Sequence, residues 1–154
     1  KILSLEIQRM PKSVHDNFAN PAWYPYLSVC TTSTHDMNPI RAWWEEDREV
    51  TNDFWHMILG NQGEAPYFCE PWICRQILDQ HVWSPAMLTI LPLQDWLSMD
   101  EQLRREDPNT ERINVPANSR HYWRYRMHLT LEQLEAADEF NKTLSDMIAA
   151  SGRK

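Results

Sequence analysis

Apolar residues fall in short blocks along this chain, and the blocks switch between the spacing of a strand and that of a helix. Ile2, Leu3, Leu5 and Ile7 crowd a run that ends at Met10-Pro11, which predicts a buried strand from Ile2 to Ile7 and then a loop. A Pro- and aromatic-rich stretch, Asn20-Pro21-Ala22-Trp23-Tyr24-Pro25, leads to a second predicted strand from Tyr26 to Thr31. Asn38-Pro39 forms a good helix start, and Ile40, Trp43, Trp44, Phe54, Trp55 and Ile58 then recur at helical spacing until Gly60. That pattern predicts one amphipathic helix of about five or six turns, with Glu45-Glu46-Asp47-Arg48-Glu49 as its solvated face.

Glu70-Pro71 predicts a shorter helix to about His81, and Ala86 to Leu93 a third apolar strand. Short helical turns are expected from Gln94 to Asp107, and a polar loop from Pro108 to Arg120. Thr130 with Gln133 makes a capping box for a last helix, in which Leu134, Ala137, Phe140, Leu144, Met147 and Ile148 face inward until Gly152. Strands alternating with helices predict an α/β fold with parallel strands. Three strands set so close to the chain edges make a poor closed sheet, since parallel sheets need both faces and both edges covered. The pattern therefore reads as the last part of a larger α/β sheet or barrel, with residues 1–154 as one piece of a single domain.

Composition narrows the function classes. The net charge of −7 and a pI near 5.3 argue against nucleic acid or an anionic membrane as main partner, because neither gains from counterion release to an acidic surface. No window approaches the roughly 18 apolar residues that span a bilayer. Eight Trp and five Tyr against three Gly supply flat apolar faces suited to sugar rings, and equally suited to an aromatic core. Cys30, Cys69 and Cys74 are odd in number and irregular in spacing, so no disulfide framework is expected; a reducing compartment, the cytoplasm, is. Lys1 opens directly into the first strand with neither an initiator Met nor a basic-then-apolar leader, and is read as an edge within a longer protein.

The polar cluster Thr31-Thr32-Ser33-Thr34-His35-Asp36 falls where a strand gives way to a helix, the end at which α/β barrels build their sites. Asp36 and Asn38 could equally cap the following helix, and spacing alone does not separate capping from chemistry. Geometry disfavours a Ser33, His35, Asp36 relay, because adjacent residues on an extended segment point to opposite sides. Cys69 and Cys74 have no paired ligand at zinc spacing, so no metal site is expected and both thiols are read as structural. In Arg120-His121-Tyr122-Trp123-Arg124-Tyr125-Arg126 the surrounding acidity favours packing, with each Arg paired to a carboxylate, over a nucleic-acid strip.

Five blocks carry a more specific signal. Ser33-Thr34-His35-Asp36-Met37, Arg41-Ala42-Trp43-Trp44-Glu45-Glu46, Leu91-Pro92-Leu93-Gln94-Asp95-Trp96-Leu97, Arg112-Ile113-Asn114-Val115-Pro116-Ala117-Asn118 and His121-Tyr122-Trp123-Arg124-Tyr125-Arg126 occur in that order. Together they resemble the C-terminal end of glycoside hydrolase family 77, the 4-α-glucanotransferases of amylomaltase or disproportionating type. The resemblance implies the C-terminal portion of a (β/α)8 barrel, with the three predicted strands as strands six, seven and eight. It implies retaining transfer of α-1,4-glucan units between maltose or malto-oligosaccharides and glycan acceptors, with no cofactor.

By motif match the resemblance makes Asp36 the catalytic carboxylate that stabilises the transition state, and His35 and, more weakly, Asn114 contacts to bound sugar. The nucleophilic Asp and the acid/base Glu would come from the rest of the parent catalytic domain, so the isolated fragment is expected to be inactive. A non-catalytic glucan-binding or assembly module is the alternative. Open strand edges also make self-association of the piece an expectation. Two departures stand out: Gln8-Arg9 where some relatives carry an acidic residue near the end of strand six, and Asn38-Pro39 with Ala42 in place of hydroxyl and Gly residues after the motif.

Overall fold

Three short strands, β1 (Ser4–Ile7), β2 (Ser28–Thr31) and β3 (Leu88–Thr89), form a parallel sheet in chain order in the computed structural model, which describes residues 2–153. The register pairs Leu5 with Val29 and Val29 with Leu88, so these apolar residues make one row across the sheet. Because side chains alternate along a strand, that row lies opposite the face carrying Cys30, which is fully buried against the carbonyl of His81 and the hydroxyl of Ser84. Leu5 and Leu88 remain about half exposed at 51% and 45%, so this apolar row is only partly covered, although Ile7 and Thr31 further along the same face are buried. β1 and β2 are joined by a segment whose only helical element is the 3-10 turn Pro21–Trp23; the helical crossover lies between β2 and β3.

The helices that follow are shorter than the periodicity predicts, and local chemistry explains each break. The predicted helix from Asn38 to Gly60 is two, α1 (Ile40–Trp44) and α2 (Arg48–Met57). Asp47 stands between them in an extended conformation, and its carboxylate accepts the N–H groups of Glu49 and Val50 at 2.9 and 3.2 Å, a strong N-cap. Thr51 Oγ1 donates to the carbonyl of Trp44 at 2.6 Å and closes the end of α1. The run 45–49 is thus a break with a cap, not the face of one helix.

The helix from Glu70 runs close to expectation as α3 (Pro71–Val82), with Pro71 in its first turn. The third strand stops early, at Thr89, and α4 (Leu93–Leu97) begins behind Pro92 where a strand was expected. At the end of the chain the capping box of Thr130 and Gln133 is present, but it starts a separate short helix, α5 (Leu131–Glu135). Ala137 leaves helical geometry, the carbonyl of Leu134 accepts its N–H at 3.3 Å and Asn141 Nδ2 at 2.8 Å, and α6 (Asp138–Ala150) starts afresh. Of the six residues expected to face inward there, Phe140 and Met147 are fully buried and the other four half-buried.

The core lies on the helix side, where α1, α2 and α3 meet Leu91 and Met147. Phe54 is its hub: the rings of Phe18 and Trp43 stand edge-on to it at 5.1 Å each, and Trp44 at 6.4 Å. Such perpendicular pairs set positive ring edges against negative faces. The aromatic wealth of this segment is therefore largely core.

Candidate functional site

The C-terminal end of β2 opens into a loop, residues 32–39, that is buried at its base and exposed at its tip. At the base, Thr32 and Ser33 donate their hydroxyls to Asp95 Oδ2 at 2.6 and 2.8 Å, and the N–H of Ile40 donates to Asp95 Oδ1 at 2.8 Å. Asp95 is wholly buried in α4 and serves as the N-cap that α1 lacks, since its own cap position is Pro39. Arg9, beyond the end of β1, reaches the same place. Its Nη2 donates to Thr32 O, Ser33 Oγ and Asn38 O at 3.0, 2.6 and 2.8 Å, and its guanidinium lies 4.9 Å over the ring of Trp43. Burial lowers its pKa to about 10 while Asp95 opposes the shift, so it stays charged at neutral pH.

At the tip, Asp36 and His35 are about half exposed, with His35 Nε2 3.5 Å from Asp36 Oδ1. Asn114, 78 residues further along, donates its amide Nδ2 to the same oxygen at 2.6 Å. The three residues singled out from sequence therefore stand together, with Oδ1 engaged. Asp36 does not cap α1: that role belongs to Asp95. The indole of Trp123 lies 5.3 Å from the imidazole of His35, tilted by 50°, an exposed ring beside exposed polar groups.

The segment carrying Asn114 is held by its own contacts. Arg112 Nε donates to Asn114 O at 2.8 Å, and His121 Nε2 stands 2.9 Å from Ile113 O. Just before it, the 3-10 turn Pro108–Glu111 brings a buried carboxylate beneath the site. Glu111 lies 3.6 Å from Arg41, its backbone carbonyl accepts Gln94 Nε2 at 3.3 Å, and its Oε2 has no hydrogen-bond partner. Burial pushes its pKa up to about 7 even though Arg41 pulls it down. Glu111, Ser33, His35 and Gln94 border a void of about 60 Å³ behind the loop.

Beside Asn38 a recess of about 450 Å³ opens between Glu45, Glu46, Tyr67 and Arg112. A larger recess, about 550 Å³, lies toward the N-terminal ends of β2 and β3 near Tyr26, Met87 and Arg153 and contains none of His35, Asp36 and Asn114. The second is bigger, but the first adjoins the polar cluster.

The Arg-aromatic segment departs from its expected packing. Among the described residues Arg120, Arg124 and Arg126 make no ion pair. Arg124 lies 5.6 Å over Tyr122, and Arg105 covers Tyr125 and donates to the carbonyl of Arg126. The thiols of Cys69 and Cys74 are buried 3.4 Å apart and free. Among the described residues no cluster of three His, Cys, Asp or Glu is placed to hold a metal ion, and no helix is long and apolar enough to cross a membrane.

Sequence reasoning assigned no role to Asp95, Glu111 or Arg41 and treated Arg9 only as a departure. Asp95 did carry a signal, as an acid next to Gln94 inside an otherwise apolar stretch, which calls for buried partners. For Arg9 and Glu111 the partners are distant in sequence and no local pattern announces them.

Comparison with known proteins gives consistent matches. The family model described as 4-alpha-glucanotransferase matches residues 1–131. The chain is 38% identical over 152 residues to the 4-alpha-glucanotransferase DPE2 of Oryza sativa subsp. japonica, covering 99% of this chain and 16% of that protein. It is 29% identical over 149 residues to a 4-alpha-glucanotransferase of Chlamydia muridarum, covering 90% of this chain and 27% of that one. A solved amylomaltase from Streptococcus agalactiae, in complex with acarbose, aligns in structure over 99% of this chain and 28% of its own, with a TM-score of 0.70 at 18% sequence identity. The chain thus shares its fold with that part of the amylomaltase, and spans between a sixth and about a quarter of the curated relatives named.

Proposed function

Since this chain belongs to the 4-alpha-glucanotransferase family, we propose that it is the C-terminal part of a (β/α)8 catalytic barrel, contributing strands six to eight and one of three catalytic carboxylates. The half-exposed row Leu5, Val29 and Leu88 supports the barrel reading, because apolar side chains on the second face of a parallel sheet need a covering layer. Left uncovered, the same face would favour self-association of the isolated piece.

The parent transfers α-1,4-glucan segments or glucosyl units from maltose or malto-oligosaccharides to glycan acceptors through a covalent glycosyl intermediate. The nucleophile and the acid/base are supplied by the rest of the catalytic domain. Asp36 accepts hydrogen bonds from ring hydroxyls and stabilises the positive charge that develops as the sugar flattens. His35 and Asn114 hold the same sugar and the carboxylate. Three buried free cysteines support a reducing compartment such as the cytoplasm.

The observation that carries this reading is the convergence of His35, Asp36 and Asn114 from two distant segments on one exposed carboxylate. It is tested by Asp36→Asn in the protein that contains this chain, with glucose release from maltotriose as the assay. The change removes charge but little volume. Turnover is expected to fall by about 10²- to 10³-fold, the range seen when one transition-state contact is deleted, with the thermal midpoint unchanged. Near-normal turnover would remove Asp36 from the catalytic set. Saturable maltodextrin binding without transfer would make the chain part of a binding module instead.

A further inference from the structure

Among the described residues, Asp36 makes no hydrogen bond or ion pair with the buried layer. Its carboxylate meets Asn114 and His35, and its N–H reaches only Thr34 Oγ1, at 3.3 Å. Its position is inherited from the base of the loop, and there a buried carboxylate and a partly buried guanidinium converge on one hydroxyl. Ser33 Oγ accepts from Arg9 Nη2 at 2.6 Å and donates to Asp95 Oδ2 at 2.8 Å.

The network holds both ends of the loop at once. Asp95 takes the hydroxyls of Thr32 and Ser33 at the start and the N–H of Ile40 at the finish, while Arg9 takes the carbonyls of Thr32 and Asn38 at the same two places. A carboxylate and a guanidinium suit this task because charge-assisted hydrogen bonds are short, strong and directional. Trp43, in α1, backs the guanidinium, so the ends of β1 and β2 and the starts of α1 and α4 are tied together beneath Asp36.

We propose that Arg9 and Asp95, joined through Ser33, are positioning residues that set the place of Asp36 and act on the reaction only through it. The proposal rests on the catalytic reading of Asp36 given above. Neither residue needs to touch sugar: Asp95 is wholly buried, and Arg9 Nη2 is taken up by the loop.

Because Asp36 binds the transition state more strongly than the ground state, displacing it lowers kcat more than it alters KM. In the protein that contains this chain, Ser33→Ala is expected to lower kcat for maltotriose by about tenfold with KM within about twofold. Thr32→Val, similar in shape, lowers kcat in the same direction, whereas Thr32→Ser, which keeps the hydroxyl, leaves it near normal. Arg9→Lys keeps the charge but not the planar fork, and also lowers kcat.

The deciding measurement is Ser33→Ala added to Asp36→Asn. If the clamp acts only through the carboxylate, the second change costs nothing further in residual turnover. A further tenfold loss would show a route that bypasses Asp36 and would overturn the proposal. Normal kcat in both Ser33→Ala and Arg9→Lys, with Asp36→Asn still crippled, would overturn the clamp and leave the catalytic reading standing; normal turnover in Asp36→Asn would overturn both.

Discussion

Asn114→Ala tests the geometry of the site most directly, because it deletes one side chain whose partner and distance are known. The amide donates to Asp36 Oδ1 at 2.6 Å. A hydrogen bond to a charged acceptor contributes about 1.5–3 kcal/mol, and half-exposure of the carboxylate places this one at the lower end. The backbone at 114 does not depend on the amide, since Arg112 holds its carbonyl and His121 that of Ile113. Truncation should therefore leave the loop in place and free only the carboxylate. A loss of about 1.5 kcal/mol corresponds to roughly a tenfold fall in kcat/KM. The assay is the initial rate of glucose release from maltotriose across a range of concentrations, using the protein that contains this chain. A value within twofold of the unaltered protein would refute the reasoning, as would an equal fall accompanied by a clear drop in thermal midpoint, which would point to loop collapse.

Other expectations concern stability and accessibility. Glu111, with a pKa raised to about 7 from 4.5, binds a proton in the folded state over a range where the unfolded chain does not. Folding thus loses as much as about 3 kcal/mol as pH rises from about 4.5 to about 7. Glu111→Gln lacks that loss, so its thermal midpoint should gain on the unaltered protein through this window; a constant difference would refute the assignment. His81, whose pKa burial lowers to about 4, destabilises the fold in the opposite direction as pH falls below about 6.5, so only the difference between variants isolates Glu111. Phe54→Ala empties the centre of three surrounding aromatic rings and should cost about 3–5 kcal/mol in denaturant titration; a cost below about 1 kcal/mol would mean the cluster repacks. Cys30, Cys69 and Cys74 are buried, and burial pushes the Cys69 thiol up, so a thiol reagent should label them only after unfolding.

Much of the fold was legible because periodicity reports which face is buried. The polar cluster at the end of a strand, the parallel pairing, α3 and the Thr130 capping box all follow from local pattern. What periodicity could not report is where a helix pauses. Trp43, Trp44, Phe54 and Trp55 keep one spacing across Asp47, yet the capping preference of that Asp wins locally and splits the helix. Likewise Ala86 to Leu93 is apolar enough for a strand, but only Leu88 and Thr89 find ladder partners on β2.

The site divides along the same line. His35 and Asp36 were legible as a motif, and Asn114 as part of a second one. Their support was not, because a buried charge is tolerated only where distant groups satisfy it, and those groups are chosen by the tertiary structure. Asp95 is 62 residues from Ser33 and Arg9 is 24, yet the three meet within hydrogen-bond distance. The physical consequence is a separation of tasks. The exposed tip presents a carboxylate to solvent. The buried base keeps its charges in low dielectric, where each hydrogen bond holds the loop more firmly than it could at the surface. Substitutions at the base should thus change how often Asp36 is in place, and substitutions at the tip what it can hold.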